Sequence, residues 1–261
     1  MNLYTERSIA LANQRNYLDQ LFRVYPICPD SIREINQKLW TTIENAYNNQ
    51  NNIELFKALL KLDLFPIKDG YVPYFRRDKT AIQRNPETVN RICGRVRELG
   101  LDKLWEKCTE PKETNRKMGP LFSRWIASGV LGTIPTGDEK TFINSNSGLQ
   151  ILDGTDKSLQ EFAEKHLGYT RNKGLDLVAK KDNTYIIGEA KFITDEGGHQ
   201  NAQFQDAISI FKTPTKGNVI KVAILDGVLY IPGKKKMYET ITSNDLNAMS
   251  ALMLRDFIYS L

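Results

Sequence analysis

Through residues 3–25 the apolar positions Ile9, Leu11, Tyr17, Leu18, Leu21, Phe22 and Tyr25 recur at mostly helical intervals until Pro26 stops the run, which predicts a first helix. A second is expected after Pro29-Asp30, with Asp30 or Ser31 as cap. Ile32, Ile35, Leu39, Ile43 and Tyr47 line its face as far as the Asn-rich break at residues 48–52. A third covers residues 53–62. Gly70, Pro73 and the cluster Arg76, Arg77, Lys79 and Arg84 make residues 66–84 read as loop or short strand with a basic surface. Asn85 as cap and Pro86 at the first helical position open a fourth helix, which runs through Val89, Ile92, Val96 and Leu99 to Gly100. In residues 113–130 the Gly119-Pro120 break predicts a loop that feeds a helix.

Beyond Gly132 the texture changes. Thr, Gly, Asn and Ser punctuate the chain through Gly154, and a helix over residues 158–166 follows, with Leu159, Phe162 and Ala163 inward. Residues 174–179, 184–192 and 219–225 are β-branched and apolar and read as strands, with a helix over residues 202–211 before the last of them. Residues 246–261 are again amphipathic. The pattern predicts an α/β or α+β core over residues 111–261 that bears a mainly helical N-terminal region over residues 1–110, as two regions or one continuous domain.

The segment Gly174-Leu-Asp176 to Lys181, then Asp182-Asn183, then Thr184 to Phe192 reads as a β-hairpin. Asp and Asn both tolerate positive φ, so Asp182-Asn183 suits a two-residue type I′ turn. That register places Asp176 opposite Glu189 on one face of the hairpin, with Cβ atoms about 5 Å apart. Period-two alternation puts Lys191 on the same face. Two carboxylates this close repel, and a divalent cation offsets the repulsion. Mg²⁺ suits such a pair, because it takes one or two carboxylates together with waters and phosphate oxygens. Spacing alone does not separate this reading from an exposed strand face of mixed charge, and Glu110-Pro-Lys112 repeats the Glu-x-Lys pattern without a hairpin.

A net charge of +5 permits an anionic partner without identifying one. Cys28, Cys93 and Cys108 are odd in number and widely spaced, which argues against a disulfide framework or a zinc site and fits a reducing cytoplasm. Charged residues interrupt the first twenty positions, and no later stretch is long and apolar enough for a membrane span, so neither export nor a membrane location is expected.

Asp176 followed by Glu189-Ala190-Lys191 resembles the PD-(D/E)xK motif of type II restriction endonucleases. The longer strings Lys173-Gly-Leu-Asp-Leu-Val, Ile187-Gly-Glu-Ala-Lys-Phe and Gly197-Gly-His-Gln-Asn-Ala-Gln203-Phe resemble a subset of bacterial restriction enzymes, over about residues 110–260. The resemblance implies a restriction-endonuclease-like mixed β-sheet flanked by helices. It also implies Mg²⁺ ligated by Asp176, Glu189 and the Ala190 carbonyl, Lys191 beside the attacking water, and hydrolysis without a covalent intermediate. An upstream helix often supplies another acid in that superfamily, and Glu161, ahead of Glu164, is the expectation here. Leu175 stands where the family usually has proline.

Around this core the candidates for DNA contact are Lys173 and the stretch Gly198, His199, Gln200 and Gln203. Glycine amides there could hold a phosphate, and Gln side chains can pair bidentately with adenine. Asn201 reads equally as a helix cap. Lys112, Arg116, Lys117 and Arg124 are candidates for phosphate or guanine contact. The expectation is a Mg²⁺-dependent type II restriction endonuclease of double-stranded DNA, acting as a homodimer because palindromic sites favour two-fold readers. A structure-specific repair or recombination nuclease and a non-catalytic DNA-binding protein are the alternatives.

Overall fold

The computed structural model describes residues 1–26, 32–111, 115–233 and 235–261 and, of residues 115–117, the backbone alone. The chain divides into two compact units, one of Met1–Ile27 with Thr114–Leu261 and the other of Cys28–Glu113. The first 27 residues thus lie in the unit of residues 114–261, not in the helical one. Their anchors are tertiary. Tyr4, Tyr17, Leu21, Val24 and Tyr25 are buried in the core cluster, and the Thr5 hydroxyl donates to the Ala248 carbonyl at 2.7 Å. The single helix expected over residues 3–25 is two, α1 (Leu3–Ala12) and α2 (Tyr17–Val24), because Asn16 turns the chain with a φ of +70°.

The unit of residues 28–113 is helical, with α3 (Gln37–Asn48), α4 (Asn52–Leu59), α5 (Val72–Arg77), α6 (Ala81–Arg84), α7 (Pro86–Leu99) and α8 (Leu101–Thr109) packed on Ile43, Phe56, Leu59, Ile92 and Leu104. The expected caps Asp30 and Ser31 lie outside the described residues. Asn36 caps α3, its side chain accepting from the Leu39 amide. The basic stretch expected as loop or strand forms α5 and α6. There Arg84 pairs with Asp78, and Arg76 donates to the Leu62 carbonyl at 2.7 Å. Cys93 and Cys108 are buried free thiols, pushed up to about 11 and about 12 by desolvation.

In the other unit, α9 (Asn115–Ala127) runs straight through Pro120 rather than breaking there. Then follow α10 (Glu139–Asn144), β1 (Leu149–Ile151), α11 (Asp156–Leu167), β2 (Leu177–Lys181), β3 (Thr184–Ile193), α12 (Gly198–Ile208), β4 (Val219–Gly227), α13 (Lys236–Ser243), β5 (Ala248–Met249) and α14 (Ala251–Tyr259). The strands lie in the order β1-β2-β3-β4-β5, antiparallel from β1 to β3 and parallel from β3 to β5, so the sheet is mixed as expected.

Alternate residues of the hairpin serve two apolar clusters. Leu177, Ala179, Ile186 and Ala190 join Phe122 and Ile126 of α9 and Leu254 of α14, whereas Val178 and Ile187 join Phe142 of α10 and Leu159, Phe162 and Ala163 of α11. Helices therefore cover both faces, and the second face is the one that Asp176, Glu189 and Lys191 share by parity.

Candidate active site

The hairpin has the register that the sequence implies: Leu177 pairs with Gly188 and Lys181 with Thr184. One step further, the Asp176 amide donates to the Gly188 carbonyl at 3.0 Å, which brings Asp176 level with Glu189. The turn differs from expectation, since of its two residues only Asp182 takes positive φ, at +53°. A second tie accounts for it: Asp182 hydrogen-bonds Gly148 twice, accepting from its amide with the side chain at 2.8 Å and donating to its carbonyl at 2.9 Å.

Asp176 reaches the cleft because the chain before it lies hard against the start of α11. The Leu175 amide donates to the Asp156 carbonyl at 3.0 Å, and a Cβ on Gly174 would stand 2.7 Å from the Asp156 Cβ and 3.2 Å from its carbonyl oxygen. Only glycine allows that approach.

Three oxygens converge on one ammonium. Lys191 Nζ lies 3.3 Å from Asp176 Oδ2, 3.0 Å from Glu189 Oε2 and 3.0 Å from the Ala190 carbonyl oxygen. Asp176 Oδ2 also accepts from the Ala190 amide at 2.7 Å. Glu189 is buried, with 1% of its side chain exposed, and its Oε1 has no hydrogen-bond partner. Desolvation, then repulsion from Asp176, pushes its carboxyl up to about 7 against the pull of Lys191. Burial works against the Lys191 charge, but Asp176 and Glu189 overcome it and hold its pKa above the usual lysine value.

A cleft of about 350 Å³ opens over this group, lined by Asp156, Lys157, Gln160, Lys173, Gly174, Asp176, Glu189 and Lys191. Among the described residues no three or more His, Cys, Asp or Glu side chains gather as a metal site. The available donor set is therefore two carboxylates and a carbonyl. Hard oxygens, one of them buried and unpartnered, are the kind Mg²⁺ takes alongside water and phosphate.

The expected upstream acid is not among these residues. Glu161 is 60% exposed and lies 3.6 Å from Lys157, because a helix turns by about 100° per residue and α11 presents Asp156, Lys157 and Gln160 to the cleft instead. Glu164 sits one turn behind Gln160 and accepts from its amide at 2.7 Å, outside the cleft lining. Asp156 is the third acid beside the cleft. Burial, then Asp176, raises its pKa.

α12 starts four residues earlier than expected, so Gly198, His199, Gln200 and Asn201 form its first turn rather than a loop. Gln200 points inward. It is buried, and its Oε1 accepts from the Thr194 amide at 3.2 Å, closing a donor left open where β3 ends, which removes it from the candidates for base contact. The cap position is Gly197, and Asn201 does not cap. His199 is exposed and touches Gln203 at 3.3 Å. Lys173 lines the cleft and pairs with Asp206 of α12 at 2.6 Å. Arg124 is exposed on α9, whose neighbouring residues Ser123 and Ile126 border a smaller cavity that reaches Asp176. Lys112 and the side chains of Arg116 and Lys117 lie outside the described residues.

Sequence reading missed Asp156, Arg171 and Asp206. Arg171 pairs with Asp206 and stands 4.0 Å from Glu189 Oε1. The available signal was the spacing Arg171, Lys173, Asp176 ahead of the first strand, and it carries no charge partner until α12 folds back.

No curated protein matches the chain. The family model described as Tsp45I type II restriction enzyme matches residues 2–261. With nearly the whole length covered and a mixed sheet flanked by helices beneath the site, this chain belongs to the Tsp45I type II restriction enzyme family.

Proposed function

We propose that this protein is a Mg²⁺-dependent restriction endonuclease that hydrolyses both strands of a specific double-stranded DNA sequence, with Asp176, Glu189 and Lys191 as its catalytic residues. The observation that carries the reading is the meeting of Asp176, Glu189 and Ala190 oxygens at Lys191 Nζ in an open cleft. Those three oxygens have the chemistry to hold Mg²⁺, and the ammonium among them marks where positive charge is already favoured. Mg²⁺ bound there would supply Lewis-acid polarisation of the scissile phosphate and a water of lowered pKa.

The chain's own groups do the rest. Lys173 and Lys157 line the cleft and attract the phosphate. Lys191 has three N–H donors and no acceptor, so it orients the attacking water through the oxygen and stabilises charge that develops on the phosphate oxygens. Water attacks phosphorus and the 3′ oxygen leaves, giving 5′-phosphate and 3′-hydroxyl ends. His199 and Gln203 on α12 and Arg124 on α9 are the proposed DNA contacts outside the cleft. Two copies acting as a homodimer would match the two-fold symmetry of a palindromic duplex. The cytoplasm, where foreign DNA arrives, is the proposed place of action.

Cleavage of unmethylated phage DNA in Mg²⁺ tests the reading. Wild type is expected to give discrete bands that EDTA abolishes, and Lys191→Ala to lose about 100-fold or more in rate while still shifting DNA on a gel. A metal-independent smear, or undiminished cutting by the variant, would overturn it.

A further inference from the structure

Three buried side-chain atoms without hydrogen-bond partners stand in one neighbourhood: Glu189 Oε1, Arg171 Nη1 and the Tyr169 hydroxyl. One is an open acceptor and one an open donor, 4.0 Å apart and of opposite charge. Native interiors seldom leave complementary polar groups unpaired, and this gap is one a small side-chain shift or a single water closes.

Arg171 is not placed there by its own loop alone. Asp206 pairs with its Nη2 and also with Lys173, so one carboxylate of α12 secures both cations that precede Asp176. These two cations pull the Asp206 pKa below the usual carboxylate range despite its burial, so Asp206 remains charged. Along α12, His199, Gln203 and Asp206 follow at i, i+4 and i+7, on one stripe of the helix.

Lys191, the one hydrogen-bond donor to the Glu189 side chain among the described residues, is shared with Asp176 and the Ala190 carbonyl. Arg171 faces none of these three oxygens and stands instead at the other oxygen of Glu189, Oε1. We propose that Arg171 is a positioning residue, clamped by Asp206, that fixes the rotamer of Glu189 and so ties the geometry of the metal site to α12. The proposal rests on the nuclease reading above and adds to it how Glu189 is held. Outer partners of ligating carboxylates orient them in this way, and their loss commonly costs about 10-fold or more in metal affinity.

Calorimetric titration of Mn²⁺ into the full-length, DNA-free protein tests it, alongside the Mg²⁺ dependence of cleavage and DNA binding without metal. Arg171→Gln is expected to weaken Mn²⁺ binding about 10-fold and to raise the Mg²⁺ concentration for half-maximal cleavage by a similar factor, with DNA binding unchanged. Arg171→Lys should recover part of the loss, and Asp206→Asn should shift both readouts in the same direction as Arg171→Gln. Wild-type Mn²⁺ affinity in Arg171→Gln overturns the proposal, as does an equal loss in Arg171→Lys accompanied by lost DNA binding, which would mark a mere staple between loop and helix. Should Arg171→Gln fail to fold, Asp206→Asn decides, and unchanged Mn²⁺ binding in it overturns the proposal. A wild type that binds Mn²⁺ but cuts no DNA sinks the nuclease reading alone, leaving the Mn²⁺ series to judge Arg171.

Discussion

Asp226 illustrates how a single residue's surroundings set its chemistry. It is fully buried near the end of β4, paired across the sheet with Phe192, and its oxygens accept from the Tyr25 hydroxyl at 2.9 Å, the Ala251 amide at 3.2 Å and the Ser250 hydroxyl. Desolvation raises its pKa from 3.8 to about 6 even against these donors. The folded state thus holds a proton that the unfolded state releases between about pH 4 and pH 6. Stability falls as pH rises through that window and stays lower above it, by about 3 kcal/mol from 1.36 kcal/mol per pKa unit. Urea midpoints of wild type and Asp226→Asn should therefore converge, or cross in favour of the variant, from pH 4 to pH 7. A constant difference across that range would show that Asp226 ionises in the native protein as it does unfolded. Nothing in its sequence neighbourhood, Ile224-Leu225-Asp226-Gly227, identifies the donors, since Tyr25 is 201 residues away and Ser250 is 24.

Among elements, the start of α11 and the Gly174 loop show how tightly the acids are placed. A Cβ at residue 174 would meet Asp156 side chain and backbone at 2.7–3.2 Å, and neither strand nor helix gives way easily there. Gly174→Ala is expected to lower stability by about 1–3 kcal/mol, as overpacking does, and to reduce cleavage further than that loss explains, by shifting Asp176 away from Glu189. Thermal melts and cleavage rates measured below the melting temperature separate the two effects. A variant that melts and cuts as wild type would show that the contact is slack. The hairpin itself was legible because period-two patterning and a two-residue turn fix register locally, whereas the facing of α11 was not. One residue along a helix is about 100°, which is why Gln160 enters the cleft and Glu161 faces solvent. Gln200 teaches the same lesson: its amide was spoken for by the Thr194 N–H, a donor that exists only once β3 has ended where it does.

At the scale of the whole molecule, no helix among the described residues is long and apolar enough to cross a membrane, and Asp176, Glu189 and Lys191 share a single cleft. Cutting both strands of a symmetric site calls for two such clefts, so sedimentation velocity of the 29.8 kDa chain should give a species of about twice that mass at micromolar concentration, where a lone monomer would count against the homodimer. The amino-acid sequence by itself determined the alternation of helix and strand over residues 158–225 and the register that opposes Asp176 and Glu189, because each depends on residues close to one another along the chain. Only tertiary structure decided that α1 and α2 complete the core, that Asp156 rather than Glu161 borders the cleft, and that Arg171 and Asp206 stand behind Glu189. Those pairings join residues brought together by packing and by the need of buried charges for partners, a requirement that no local pattern encodes.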